Sequence, residues 1–111
     1  MAPLAMFFFE VEESEDEHKL PLTTVRCKGK MLRDSGLKIK NLVKPLIEAG
    51  GRHIVIDLTE LESLDSSGLG ALVGLKVSAL NKGLCQLDIT NLSPRISELL
   101  KITNLTSLFA N

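Results

Sequence analysis

Two carboxylates, two hydroxyls and two glycines gather in the middle of the chain. Asp57 lies near the end of a run rich in β-branched residues, and the segment Asp65-Ser66-Ser67-Gly68-Leu69-Gly70 follows shortly after it. The segment lies between a strand and a helix, the place where open α/β sheets meet ligands and partners. The first N–H groups of a helix have no internal acceptors, and the helix dipole leaves partial positive charge there. A serine at that position can cap the helix through its oxygen. Once phosphorylated, it carries about −1.5 to −2 charge and three further acceptor oxygens. The helix end favours that charge by ~0.3–2 kcal/mol, while Asp65, and Asp57 if it lies close, oppose it by like-charge repulsion. The two effects are similar in size, so phosphorylation is expected to spare the fold and to act on whatever docks at this end. The residues alone leave a plain cap and a phosphosite both open. Gly68 and Gly70 each cost the helix up to about 1 kcal/mol relative to alanine. They fit either close packing on the sheet or close approach by a partner backbone or a nucleotide.

Other chemistry finds little support. The segment has no Gly-Lys-Ser/Thr, and its glycine spacing does not match a dinucleotide fingerprint. A Gly-x-Ser-x-Gly elbow is absent. His18 falls in an acidic stretch and His53 at a strand start, so neither is placed as a general base for the serines. Asp57 and Asp65 could form an acid–base pair only if aromatic or basic groups converged on them to hold a substrate.

The surrounding pattern says which elements carry the segment. Leu4 to Val11 reads as a strand, Glu12 to Glu17 as a solvated hairpin loop, and Leu20 to Met31 as an antiparallel second strand. Asp34-Ser35-Gly36 opens a helix capped by Asp34 or Ser35, with Leu37, Leu42, Val43, Leu46 and Ile47 as its stripe. A kink is expected at Pro45 and a stop at Gly50-Gly51. His53 to Leu58 reads as a central strand with apolar residues on both faces, covered by helices. Thr59 to Leu64 reads as a connection, and Ser67 to Asn81 as a helix with Leu69, Leu72, Val73, Val77 and Leu80 facing the core. Leu84 to Ile89 is the next strand. Ser93-Pro94 opens a third helix, capped by Ser93, with Ile96, Leu99 and Leu100 inward. Thr106 to Phe109 reads as a final edge strand. The order β-β-α-β-α-β-α-β implies a mixed sheet with right-handed parallel crossovers.

Composition narrows the class. The 111 residues are 44% hydrophobic and 24% charged, which suits one globular domain. The net charge of −1 and the absence of Trp and Tyr argue against a nucleic-acid partner. Cys27 and Cys85 have no ligand-spaced neighbours and read as reduced, buried thiols. The first residues lack a basic n-region, and no apolar run is long enough to span a membrane. A cytoplasmic protein without membrane insertion, cofactor or metal is therefore expected.

These features together resemble the STAS domains, specifically the bacterial anti-sigma factor antagonists. The resemblance rests on the strand pair ending at Gly29, the run Arg52-His53-Ile54-Val55-Ile56-Asp57-Leu58 and the motif Asp65-Ser66-Ser67-Gly68-Leu69-Gly70. It continues through Gly83 and Ser93-Pro94 to Leu99-Leu100-Lys101-Ile102-Thr103-Asn104-Leu105, covering nearly the whole chain. It implies a single STAS domain over residues 1–111, an α/β fold with a mixed sheet of about five strands and helices on one side. It also implies that Ser66, directly after the aspartate, is the phospho-acceptor, within a partner surface formed by Asp57, Asp65, Ser67, Gly68, Leu69 and Gly70. The partner so implied is a serine kinase that is also an anti-sigma factor. It would bind the unphosphorylated chain and be released by phosphorylation, with a phosphatase restoring binding. One position departs from the pattern. Where many antagonists have Gly-Glu-Leu-Asp, this chain has Gly29-Lys30-Met31-Leu32, with leucine in place of the aspartate. A second role consistent with the resemblance is an unphosphorylated STAS subunit of a transporter or larger signalling complex, using the same surface with Ser66 as a cap.

Overall fold

The computed structural model describes residues 7–105. Its elements run β1 (Phe7–Glu15), β2 (Pro21–Met31), α1 (Ser35–Ala49), β3 (His53–Leu64), α2 (Ser66–Lys82), β4 (Gln86–Thr90) and α3 (Pro94–Ile102). The described residues form a four-stranded sheet in the order β1-β2-β3-β4. β1 and β2 are antiparallel, and β2, β3 and β4 run parallel. The expected mixed α/β sheet is present. The last expected strand, Thr106–Phe109, and the start of the first, Leu4–Met6, lie outside the described residues.

The acidic run is strand rather than loop. β1 continues to Glu15, because alternate carboxylates find cations across the hairpin: Glu12 pairs with Arg26 at 3.0 Å and Glu10 with Lys28. Both pairs are diagonal in the register, where Glu10 stands opposite Arg26 and Glu12 opposite Thr24, and long side chains of opposite charge still reach one another at that spacing. The turn itself is short. Asp16 organises it by accepting from the backbone N–H groups of His18 (2.8 Å) and Leu20 (2.9 Å).

β3 is also longer than its pattern suggests, and Thr59–Leu64 belongs to it. Its register against β2 shifts twice, between Arg26 and Lys28 and between Gly29 and Lys30, each time with an extra residue on β3. A bulge of this kind resets the alternation of faces. Leu58 and Leu61 are therefore both buried although three residues apart.

One face of the sheet is covered. Val25, Cys27, Met31, Ile54, Ile56, Leu58, Leu87 and Ile89 are all buried there. On the opposite face His53, Val55 and Asp57 are only half-buried, so β3 is not enclosed on both sides as its apolar run suggested. α1 buries Ile39, Val43 and Ile47 at helical spacing, whereas Leu37, expected in the stripe, is 58% exposed. The helix passes unbroken through Pro45, and its N-cap Asp34 makes no side-chain capping bond. α2 buries Gly68, Ala71, Leu72, Leu75 and Ala79, leaving Val77 and Leu80 exposed. Its inward face is thus richer in small residues than the expected stripe, because α1 crosses it closely. A Cβ on Gly36 would lie 2.9 Å from the Cβ of Ala71 and 3.1 Å from the carbonyl oxygen of Ser67. α3 buries Ile96 and Leu100 and is capped by Ser93, whose Oγ accepts from the Ile96 N–H at 3.2 Å. Cys27 and Cys85 are free thiols. Burial pushes Cys27 up to about 12, while Cys85 is half-buried and is raised for the same reason. No helix among the described residues is long and apolar enough to cross a membrane.

Candidate functional site

β2 and β3 run parallel and finish side by side, Met31 opposite Leu64. That shared end delivers both the β2–α1 connection and the start of α2. Asp65, the N-cap of α2, stands in extended conformation and continues the ladder by donating its N–H to the Met31 carbonyl at 3.2 Å. Its carboxylate joins the β2–α1 connection to the first turn of α2. Oδ1 accepts from the Gly68 N–H at 2.9 Å and from Ser67 Oγ at 2.8 Å, and Oδ2 accepts from the Arg33 N–H at 2.9 Å. The Arg33 and Gly68 amides and then the Ser67 hydroxyl hold the Asp65 carboxyl down at about 2, so it is ionised throughout the physiological range. Arg33 itself sits at a positive φ of 54°, which turns its N–H toward that carboxylate.

The two serines are not equivalent. Ser67 spends its proton inside the turn, on Asp65 Oδ1, with the Arg33 carbonyl a longer 3.4 Å away. Ser66, the first residue of α2, is exposed, and its Oγ has no hydrogen-bond partner among the described residues. The turn is held by its neighbours, and the Ser66 hydroxyl is left to solvent.

The glycines differ as well. A Cβ on Gly68 would come within 2.7 Å of the Met31 carbonyl oxygen and 3.1 Å of Met31 Cγ, so close packing on the end of β2 requires this glycine. Nothing lies within 4 Å of the equivalent point on Gly70, which is exposed. Packing within the described residues therefore gives no reason for Gly70.

Two clefts flank the start of α2. One, of about 360 Å³, lies between α2 and α3 and is lined by Leu64, Asp65, Ser66, Leu69, Arg95 and Leu99 among others. The other, of about 290 Å³, lies between α1 and α2, with Arg33, Leu37, Lys40, Ser67 and Gly70 in its lining. Asp65, Ser66, Ser67, Gly68, Leu69 and Gly70 are thus brought together at one end of the molecule. Asp57 belongs to neither cleft. It accepts from Thr59 N (2.9 Å), Thr59 Oγ1 (2.6 Å) and Asn91 Nδ2 (2.8 Å), bracing the β4–α3 connection against β3. Partial burial pushes its carboxyl up, but the Asn91 and Thr59 hydrogen bonds together outweigh that and leave it below the usual carboxylate value. β3 runs on seven residues beyond it to Leu64, which is why proximity in sequence did not become proximity in space.

Neither histidine lines the clefts. His53 sits between Asp88 (2.7 Å) and Asp16 (3.6 Å), and His18 is exposed in the hairpin turn. Among the described residues no group of three His, Cys, Asp or Glu side chains is placed to hold a metal ion. Sequence reasoning passed over Arg33 and Arg95. The signal was available, since Arg33 follows the end of β2 and Arg95 follows the Ser93-Pro94 helix start.

Comparison with known proteins places this geometry. The chain is 35% identical over 71 residues to the anti-sigma-B factor antagonist of Staphylococcus aureus, a match covering 64% of this chain and 65% of that protein. The fold matches the Bacillus cell-fate determinant SpoIIAA in its phosphorylated form, with TM-score 0.70 and 20% identity, covering 91% of this chain and 87% of the other. An anti-sigma factor antagonist from Mycobacterium paratuberculosis superposes with TM-score 0.67 and 16% identity, covering 92% and 83% of the two chains. The STAS domain family model matches residues 10–111, and this chain belongs to the STAS domain family.

Proposed function

We propose that this chain is a phosphorylation-controlled binding module of the anti-sigma factor antagonist kind, acting in the cytoplasm, and not an enzyme. Unphosphorylated, it docks a serine kinase that doubles as an anti-sigma factor, using the end of the molecule formed by Asp65, Ser66, Ser67, Leu69 and Gly70. The kinase then transfers the γ-phosphoryl group of ATP to Ser66. The Oγ–P bond forms as the bond to ADP breaks, and the hydroxyl proton passes to the kinase's base. The added charge releases the partner, and a phosphatase hydrolyses the ester to restore binding. The observation that carries this reading is the state of the Ser66 hydroxyl: exposed, unengaged and presented on a turn that Asp65 and Ser67 hold without it. The similarity to the Staphylococcus aureus antagonist supports the choice of partner class.

The test is phosphate mapping and partner capture with the intact chain. Incubated with ATP and an extract of its own cells, the wild type and Ser67→Ala are expected to gain one phosphate at residue 66, and Ser66→Ala none. The kinase so captured should bind Ser66→Asp at least tenfold more weakly than wild type, which is ~1.4 kcal/mol. Phosphate on Ser67, or equal affinity for Ser66→Asp and wild type, would refute the switch.

A further inference from the structure

Arg95 goes against a local preference. It stands in the first turn of α3, one residue after Pro94, where the helix dipole disfavours a cation. No acidic residue shares that first turn, and the exposed Arg95 has no ion pair among the described residues. Departures from local preference without a structural compensation concentrate at functional positions. What Arg95 does have is a place in the cleft between α2 and α3 that Ser66 also lines.

The charges in that cleft are few. Asp65 is its carboxylate, and its oxygens are already taken up by the Arg33 and Gly68 amides and the Ser67 hydroxyl. Arg95 is its cation. Leu64, Leu69 and Leu99 supply apolar walls, and the exposed Ser66 and Arg95 stand at the rim of the same cleft. Arg33, Asp34 and Lys40 line the other cleft, on the Ser67 side of the helix. Ser66 and Ser67 therefore face different cations.

We propose that Arg95 is the intramolecular receiver of the Ser66 phosphate, a positioning residue that folds the modified side chain into the α2–α3 cleft. The planar guanidinium suits two-pronged binding of phosphate oxygens. It offsets the repulsion from Asp65 that a phosphate at residue 66 would otherwise meet. By drawing the phosphate over the leucine walls, it withdraws that apolar surface from a partner as well as adding charge to it. This inference rests on the reading of Ser66 as the modified residue.

The experiment installs phosphoserine at residue 66 by genetic code expansion, so it does not depend on finding the kinase. The second ionisation of the phosphate is followed by ³¹P NMR in the full chain carrying wild-type Arg95, Arg95→Ala, Arg95→Gln or Arg33→Ala. An adjacent cation favours the dianion. Loss of Arg95 by either substitution is expected to raise that pKa by about half a unit to one unit, a three- to tenfold change in proton affinity, while Arg33→Ala leaves it nearly unchanged. Melting of the unmodified variants checks that each is folded. The inference is overturned if Arg95→Ala titrates like wild type, if Arg95→Gln restores the wild-type value, or if Arg33→Ala produces an equal shift. Failure of the kinase to modify Ser66 would sink the proposed function and leave this titration untouched.

Discussion

The glycines of α2 allow the packing account to be tested by single methyl groups. Alanine gains up to about 1 kcal/mol over glycine inside a helix, because it restricts the unfolded chain. At Gly70 and Gly74 an added Cβ meets nothing within 4 Å, and neither glycine has a positive φ, so the whole gain is available. Gly70→Ala and Gly74→Ala are each expected to stabilise the chain by ~0.5–1 kcal/mol, which for a domain of about this size raises Tm by roughly 2–6 °C. Gly68→Ala meets a different surface. Its Cβ would stand 2.7 Å from the Met31 carbonyl oxygen and 3.3 Å from Leu64 Cβ. That carbonyl is backbone at the end of β2 and already accepts from the Asp65 N–H, so it has little freedom to move aside. Overpacking of this kind costs ~1–3 kcal/mol, which cancels the intrinsic gain and leaves Gly68→Ala less stable than wild type by up to about 2.5 kcal/mol. Urea and thermal unfolding of the three variants reads all these values. Stabilisation of Gly68→Ala to the same extent as Gly70→Ala would refute the packing argument, as would destabilisation at Gly74. Gly70 then carries a second expectation. A variant more stable than wild type that nevertheless binds the partner less well identifies Gly70 as a contact surface, with Gly74→Ala as the comparison.

Two further outcomes follow from burial and charge. Ile39→Ala should cost ~2–5 kcal/mol, since Ile39 is fully buried, while Leu37→Ala should stay within about 0.5 kcal/mol at 58% exposure; equal losses in urea melts would mean the phase of α1 is wrong. The Asp65 carboxyl is depressed from 3.8 to about 2 in the folded chain, so its charge contributes stability that is complete above about pH 4 and is lost as pH falls toward 2. Asp65→Asn lacks that contribution, so its deficit relative to wild type should shrink between pH 4 and pH 2; thermal melts showing a constant deficit from pH 5 to pH 2 would contradict the capping role.

The order of elements and the position of the serine turn were legible because strand, cap and helix signals agreed locally. Ser93-Pro94 is such a case, and its cap is found as read. The failures have a common cause, which is that partners decided what local pattern left open. The carboxylates of Glu10 and Glu12 belong to a strand only because Lys28 and Arg26 reach them. The stretch Thr59–Leu64 lost its alternation to two bulges, which exist only relative to β2. α2 is apolar around much of its circumference, so its phase was set by the close crossing of Gly36 against Ala71, a contact between residues far apart in sequence. The segment from Asp65 to Gly70 lies where its pattern put it, at the start of α2. What surrounds the segment needed distance information: Asp57 bonds Thr59 and Asn91, and Arg33 from the β2–α1 connection and Arg95 from the first turn of α3 line the two clefts.

That exchange of residues alters the electrostatics of the turn. With Asp57 turned to Asn91, the carboxylate placed to oppose a charge on Ser66 is Asp65, whose lone pairs are largely spent on two amides and a hydroxyl. Against it stand the positive end of the α2 dipole and a cation in the adjoining cleft. The near-balance inferred from sequence therefore tilts toward accommodation of a phosphate. A modification that the fold tolerates without rearrangement cannot signal by unfolding the turn, because Asp65 and Ser67 hold it with bonds that Ser66 does not share. On the proposed function, the message is carried on the surface, as charge placed and apolar wall covered, for a partner to read there by direct contact.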